Sequence, residues 1–144
     1  MTTVKNILET KGGETFAISP DATVYDALNL MAEKNVGALV VFDDDLLVGI
    51  ISERDYARKV ILKGKFSKDT PVSEIMSTEV VTVSPDQTID QCMALMTNKR
   101  IRHLPVLQGK SLVGVVSIGD IVKAIISEQE YTIKQLESYI TGGR

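Results

Sequence analysis

An internal repeat constrains this 144-residue chain more than any other feature. Ser19-Pro20-Asp21 recurs as Ser84-Pro85-Asp86, an offset of 65 positions. The same offset runs without a gap from residues 19–61 to residues 84–126. It pairs Leu47-Val48-Gly49 with Leu112-Val113-Gly114, Ser52 with Ser117 and Asp55 with Asp120. Upstream, Val4, Ile7 and Leu8 match Val72, Ile75 and Met76 at an offset of 68, which places a three-residue insertion near Gly12-Gly13. A repeat of this length dictates a fold built twice. A piece of about 60 residues buries only about 60% of its unfolded surface, against about 68–70% for the whole length. Two such halves are therefore expected to share a core. The sequence divides into residues 1–68, a first repeat with an N-terminal helix and linker, and residues 69–144, a second repeat with an extended C-terminal helix.

Local signals give each half the order short helix, strand, helix, strand, strand, helix. Thr23-x-x-Asp26 and Thr88-x-x-Gln91 are capping-box patterns. Behind them Val24, Ala27, Leu28 and Met31, and Ile89, Cys92, Met93 and Met96, fall at helical spacing. Residues 38–42 and 47–51 are short apolar runs around Asp43-Asp44-Asp45, which predicts a hairpin. Residues 104–107 and 112–116 repeat this around Gln108-Gly109-Lys110. A helical crossover followed by a hairpin implies a mixed α/β fold, a small sheet with helices on one face in each half. The acidic turn reads as a solvated hairpin tip rather than a metal site, because its counterpart carries no acid.

Composition narrows the function. A single Cys excludes an intramolecular disulfide framework and a multi-Cys zinc site. A net charge of -3 disfavours nucleic acid as a partner. No apolar run approaches the roughly 18 residues of a membrane span, and the N-terminus lacks the apolar segment of a signal peptide. A cytoplasmic protein with no membrane partner is expected.

In each repeat a strand runs into a helix through Gly49-Ile50-Ile51-Ser52-Glu53-Arg54-Asp55 and Gly114-Val115-Val116-Ser117-Ile118-Gly119-Asp120. Helix capping alone accounts for Ser52 and Ser117. Such a turn also presents backbone amides to an anion, and its carboxylate can accept bonds from the two hydroxyls of a ribose. Charge placement favours a ligand. Nine of the 16 Lys and Arg residues fall in two stretches: Arg54, Arg58, Lys59, Lys63, Lys65 and Lys68, and Lys99, Arg100 and Arg102 beside His103. Clustered cations in an acidic chain suit a phosphate. A solvated helical face is the competing explanation for Lys63, Lys65 and Lys68. The other repeat has Gly37-Ala38 in place of Arg102-His103, and Gly119 in place of Arg54.

The paired Leu-Val-Gly-φ-φ-Ser-x-x-Asp segments (φ, apolar), the Ser-Pro-Asp-x-Thr helix starts and Arg102-His103-Leu104-Pro105-Val106 together resemble the cystathionine β-synthase (CBS) domain pair, or Bateman module. The resemblance spans nearly the whole chain. It implies tandem β-α-β-β-α repeats packed about a pseudo-two-fold axis, with two clefts that take adenosine-containing ligands: AMP, ADP, ATP, NAD(H) or S-adenosylmethionine. It implies that one pocket holds Ser117, Gly119 and Asp120, walled by Thr15, Phe16 and Ile18 and by Val36, Gly37 and Ala38, with Arg102 reaching its phosphate. The other would hold Ser52, Arg54 and Asp55, walled by Val80, Val81 and Val83 and by Ile101, Arg102 and His103, with Pro105 on the same strand. The aspartates would bind ribose, and Arg54 and Arg58 would face phosphate in the second pocket. The asymmetry of the repeats predicts two unequal sites.

An enzyme is the first competing function. Cys92, His103 and an aspartate could serve as nucleophile, base and orienter. Cys92, however, lies on an apolar helical stripe and His103 is the sole histidine, which rules out a multi-histidine metal site. No separate catalytic domain fits in this length, so no enzymatic activity is expected. A module that regulates a protein target without its own ligand is the second. Ile121, Ile125, Ile126, Ile133, Leu136 and Ile140 recur at roughly helical steps in a long C-terminal helix ending at Thr141-Gly142-Gly143-Arg144. That helix, and the resemblance, predict a homodimer.

Overall fold

Side chains set where the helices start. In the computed structural model, which describes residues 1–141, Thr3, Thr23, Ser52, Thr88 and Ser117 each close a capping box. Each side-chain oxygen accepts from the N3 amide, and the N3 side chain accepts from the cap's own amide, satisfying two otherwise orphaned donors. The helices so begun are α1 (Val4–Lys11), α2 (Val24–Lys34), α3 (Glu53–Lys59), α5 (Ile89–Lys99) and α6 (Ile118–Ile140); α4 (Val72–Ile75) starts after Pro71. The strands are β1 (Ala17–Ile18), β2 (Ala38–Asp43), β3 (Leu46–Ser52), β4 (His103–Gln108) and β5 (Ser111–Ser117). Both hairpins form where the apolar runs placed them. Asp44 at φ 55° and Gly109 at φ 65° turn their tips. Of the expected helix stop, Thr141 caps α6; Gly142, Gly143 and Arg144 lie outside the described residues.

The chain forms two compact units, residues 15–81 and residues 1–14 with 82–144. In residues 15–81 the sheet order is β1-β2-β3, with β1 parallel and β3 antiparallel to β2. Val24, Ala27 and Met31 of α2 pack with Leu39, Val41, Ile51, Val60, Val72 and Ile75 in its core. The other unit buries the matching set: Val4, Ile89, Cys92, Met96, Leu104, Val106, Val116 and Ile121.

These units divide the chain differently from the repeats. Repeat spacing assigns residues 1–68 to one half and 69–144 to the other. In the structure each leading helix packs with the opposite repeat. Val4 N–H donates to Gln87 O at 2.9 Å, Lys5 N–H to Pro85 O at 2.8 Å, and Ile89 N–H to Thr2 O at 3.1 Å. The same three bonds recur as Val72 to Ala22 at 2.8 Å, Ser73 to Pro20 at 3.0 Å and Val24 to Thr70 at 2.8 Å. Packing explains the choice. A Cβ on Gly114 would lie 2.5 Å from Leu8 Cδ2, and one on Gly49 would lie 2.6 Å from Met76 Sδ and 3.0 Å from Ser77 O. The glycine of each Leu-Val-Gly segment is thus the seat of a leading helix, and Leu8 and Met76 are counterparts in the repeat.

The second repeat departs from the expected first strand. Over residues 80–83 only Val83 pairs, as an isolated parallel bridge to Val106. Val83 N–H donates to Pro105 O at 3.0 Å, and Leu107 N–H to Val83 O at 2.9 Å. In the first repeat Val40 N–H donates to Phe16 O at 3.3 Å and extends the ladder. The counterpart of Val40 is Pro105, which has no N–H to give, so the ladder stops at one bridge.

Candidate functional site

The Ser-x-x-Asp turns are built by the hairpins. In the unit of residues 1–14 and 82–144, β5 delivers Ser117 to the start of α6. Ser117 N–H donates to Asp120 Oδ2 at 2.8 Å, and Asp120 N–H to Ser117 Oγ at 3.2 Å. His103 is the cross-strand partner of Ser117, and the Arg102 carbonyl accepts from Ile118 N–H at 2.8 Å. Gly119 is exposed in the first turn of α6. Arg102, His103, Ser117, Gly119 and Asp120 therefore gather at one end of the hairpin. Ile101 and Pro105 flank them, the first half-buried and the second buried.

A residue that sequence reasoning passed over completes this cluster. Lys11, in the last turn of α1, places Nζ 2.7 Å from Asp120 Oδ2 and 2.9 Å from the Val115 carbonyl. No sequence signal marked it, since its counterpart at the offset of 68 is Glu79 and its partner lies 109 positions away.

The turn in residues 15–81 has the same cap but a different cation. Ser52 N–H and Oγ–H donate to Asp55 Oδ2 at 2.9 and 3.1 Å. Asp55 Oδ1 lies 3.1 Å from Lys59 Nζ, one turn along the same helix, and Lys59 also donates to the Ile75 carbonyl at 2.9 Å. Gly37 O accepts from Glu53 N–H at 3.1 Å, and Ala38 pairs with Ser52. Ile18 enters through β1, with Thr15 and Phe16 just before it. Val36 and Gly37 line a cavity of about 250 Å³ together with Leu28, Met31, Ala32, Asn35 and Glu53. Val80 and Val81 are half-buried at the end of this unit, while Val83 belongs to the other.

The expected basic stretch is largely spoken for. Lys59 holds Asp55, Lys65 lies 3.7 Å from Glu74, and Lys68 sits over the Tyr25 ring. Arg54 is half-buried in the first turn of α3, and Arg58 is exposed in its last turn. In the second stretch Arg100 takes the left-handed conformation that caps α5, and Arg102 is exposed.

Electrostatics separate His103 and Asp120. Burial works against the Asp120 carboxylate, but the Lys11 ammonium and the Ser117 amide and hydroxyl outweigh it and hold its pKa below the usual range. Burial lowers His103 below its ordinary 6.5, assisted by the charges of Lys11 and Arg102 and opposed by Asp120. The unfolded chain therefore binds this proton more tightly than the folded one. Stability from this group is whole above pH 6.5 and falls as pH drops below that value. The imidazole signals of this sole histidine, followed by NMR, are expected to titrate below 6.5; a midpoint above it would refute the assignment. Cys92 is buried, and burial pushes its thiol up, which suits a core residue rather than a thiolate nucleophile. Among the described residues no group of three His, Cys, Asp or Glu side chains could hold a metal ion, and no helix is long and apolar enough to cross a membrane.

Comparison with known proteins accounts for the doubled turn. The CBS domain profile matches residues 4–62 and 72–127. The mitochondrial CBS domain-containing protein CBSX3 of Arabidopsis thaliana is 44% identical over 151 aligned residues, covering 99% of this chain and 73% of that protein. The solved structure of a protein with CBS domains from Burkholderia ambifaria is 53% identical, with a TM-score of 0.86, covering 89% of this chain and 96% of that one. The CBS domain pair of protein MJ0100, solved in complex with 5′-methylthioadenosine and S-adenosyl-L-methionine, is 26% identical with a TM-score of 0.79, covering 89% and 98%. With both repeats matched and a relative aligned along 99% of this chain, the chain belongs to the CBS domain family, as a tandem pair.

Proposed function

We propose that this CBS pair is a regulatory module that binds adenosine-containing ligands, with Asp55 and Asp120 receiving the ribose hydroxyls. The observation that carries this reading is made at Asp120, and Asp55 enters as its counterpart in the repeat. At Asp120 both the cap amide and Lys11 fall on Oδ2, and Oδ1 has no hydrogen-bond partner among the described residues. An oxygen with its lone pairs unused, held rigidly beside a helix N-terminus, is suited to a diol. The adenosine ligands of the related MJ0100 pair support the same ligand class. AMP, ADP, ATP, NAD(H) and S-adenosylmethionine are the candidates. Signalling then requires that the ligand bind one conformation or dimer arrangement better than another. Binding, not turnover, is the activity proposed for this chain.

A thermal-shift panel of those compounds tests the reading. A ligand at 100 times its Kd adds about 2.7 kcal/mol, which for a chain of this size raises Tm by roughly 5–10 °C. A panel in which no member moves Tm would overturn it.

One observation favours a second reading, a dimerising module for a protein target. Val122, Ile126, Ile133, Leu136 and Ile140 of α6 are 43, 50, 55, 56 and 80% exposed. That stripe suits a second copy of the chain. A dimer in sedimentation with no ligand response across the panel would leave this reading standing alone.

A further inference from the structure

We infer that Lys11 makes the Asp120 turn selective for adenosine ligands whose 5′ carbon bears an anionic group such as phosphate over those with a neutral or sulfonium group there, an inference that rests on the nucleotide reading above. An ammonium has three N–H donors and no acceptor. Lys11 spends two of them, on Asp120 Oδ2 and on the Val115 carbonyl. The third is left for a ligand group brought beside the carboxylate. Among the described residues Lys11 forms its ion pair with Asp120 and with no second carboxylate. His103 faces the same turn across the strand pair, its pKa sensing both Lys11 and Asp120. Arg102, one residue earlier, is exposed and has no ion-pair partner among the described residues. A ribose held by Asp120 thus lies against a fixed cation with a flexible stem. A phosphate on that ribose gains a charge-assisted bond, whereas a sulfonium there meets like charge.

The other turn lacks this device. At the position matching Lys11 stands Glu79, and Asp55 is held by Lys59 from its own helix. Lys59 is committed to Asp55 Oδ1, the oxygen whose counterpart is left open at Asp120. The two turns therefore differ in ligand charge preference as well as in sequence.

The sole histidine gives the test a local probe, because His103 pairs across the strands with Ser117 and its charge state is coupled to Lys11 and Asp120. The full chain would be titrated with adenosine, AMP and S-adenosylmethionine while the His103 signal is followed. In the unaltered protein AMP is expected to bind at least about tenfold tighter than either other compound, the scale of one charged hydrogen bond. Lys11→Met is expected to weaken AMP by about tenfold while adenosine holds or tightens, so the preference collapses. Lys11→Arg, which keeps the charge, is expected to restore it. Equal weakening of AMP and adenosine in Lys11→Met would mean a purely structural role and overturn the inference. So would unchanged AMP binding. If adenosine, AMP and S-adenosylmethionine all leave the His103 signal of the unaltered protein unmoved, ligand binding at this turn fails together with the inference; if they bind without charge preference, the inference fails alone.

Discussion

Gly114→Val is expected to destabilise the chain by about 1–3 kcal/mol, the cost of forcing extra carbons into a packed interface. The added Cβ alone would lie 2.5 Å from Leu8 Cδ2 and 3.1 Å from Leu8 Cδ1. Either Leu8 leaves its seat or α1 lifts from β5. The second outcome also strains the three backbone bonds that tie residues 2–5 to the start of α5. Leu8→Ala in the same chain is expected to recover part of the loss, with a coupling of roughly 0.5–3 kcal/mol between the two sites. Met76→Ala is expected to recover none, since Met76 sits on Gly49 instead. Urea unfolding of the single and double variants measures this directly. Rescue by Met76→Ala in place of Leu8→Ala would mean that each leading helix packs on its own repeat.

The exchange of leading helices shows what a sequence can and cannot reveal. The repeat itself, four of the five capping boxes and the hairpins were legible, because each rests on residues a few positions apart or on plain identity at one offset; the box at Thr3 went unread. Thr23 with Asp26 and Thr88 with Gln91 cap as their spacing requires. An offset of 68 identifies Leu8 and Met76 as equivalent but says nothing about which glycine each will meet. Two equivalent helices and two equivalent seats permit either assignment, and only the packed chain chooses. The missing strand before α5 is a different failure. Pro105 was in plain view, but its missing N–H matters only once the register places it where Val40 stands in the other repeat. In sequence the clustered cations look like one resource for phosphate. Tertiary contacts distribute them, with Lys65 and Lys68 spent on Glu74 and Tyr25. The lysine with the closest hold on a site carboxylate, Lys11, lies outside both clusters.

The two explanations of the Ser-x-x-Asp turn, helix cap and ligand site, are not rivals, and one substitution separates their contributions. Asp120→Asn keeps an oxygen that can accept from Ser117 N–H at the position of Oδ2, which lies 2.8 Å from that amide. The cap therefore largely survives, whereas outright removal of a capping side chain costs about 1 kcal/mol. What an asparagine cannot supply is charge. A neutral amide accepts from a ribose hydroxyl without the roughly 1.5–3 kcal/mol that a charged acceptor provides. Its second position is a donor, so it can no longer accept from both hydroxyls as a carboxylate can. Asp120→Asn is thus expected to weaken AMP at its turn by at least about tenfold, with a far smaller change in Tm. Asp55→Asn is expected to leave that turn's affinity, read from the His103 signal, unaltered. The carboxylate's charge also sets an acid limit. Because the folded state holds Asp120 below its ordinary 3.8, the stability it contributes is present above that pH and is lost as pH falls through the lowered value. The Asp120→Asn variant, with nothing to protonate at this position, loses that acid dependence. Wild-type AMP affinity in Asp120→Asn would assign the turn to capping alone, and the doubled aspartate would then be explained by the doubled helix start.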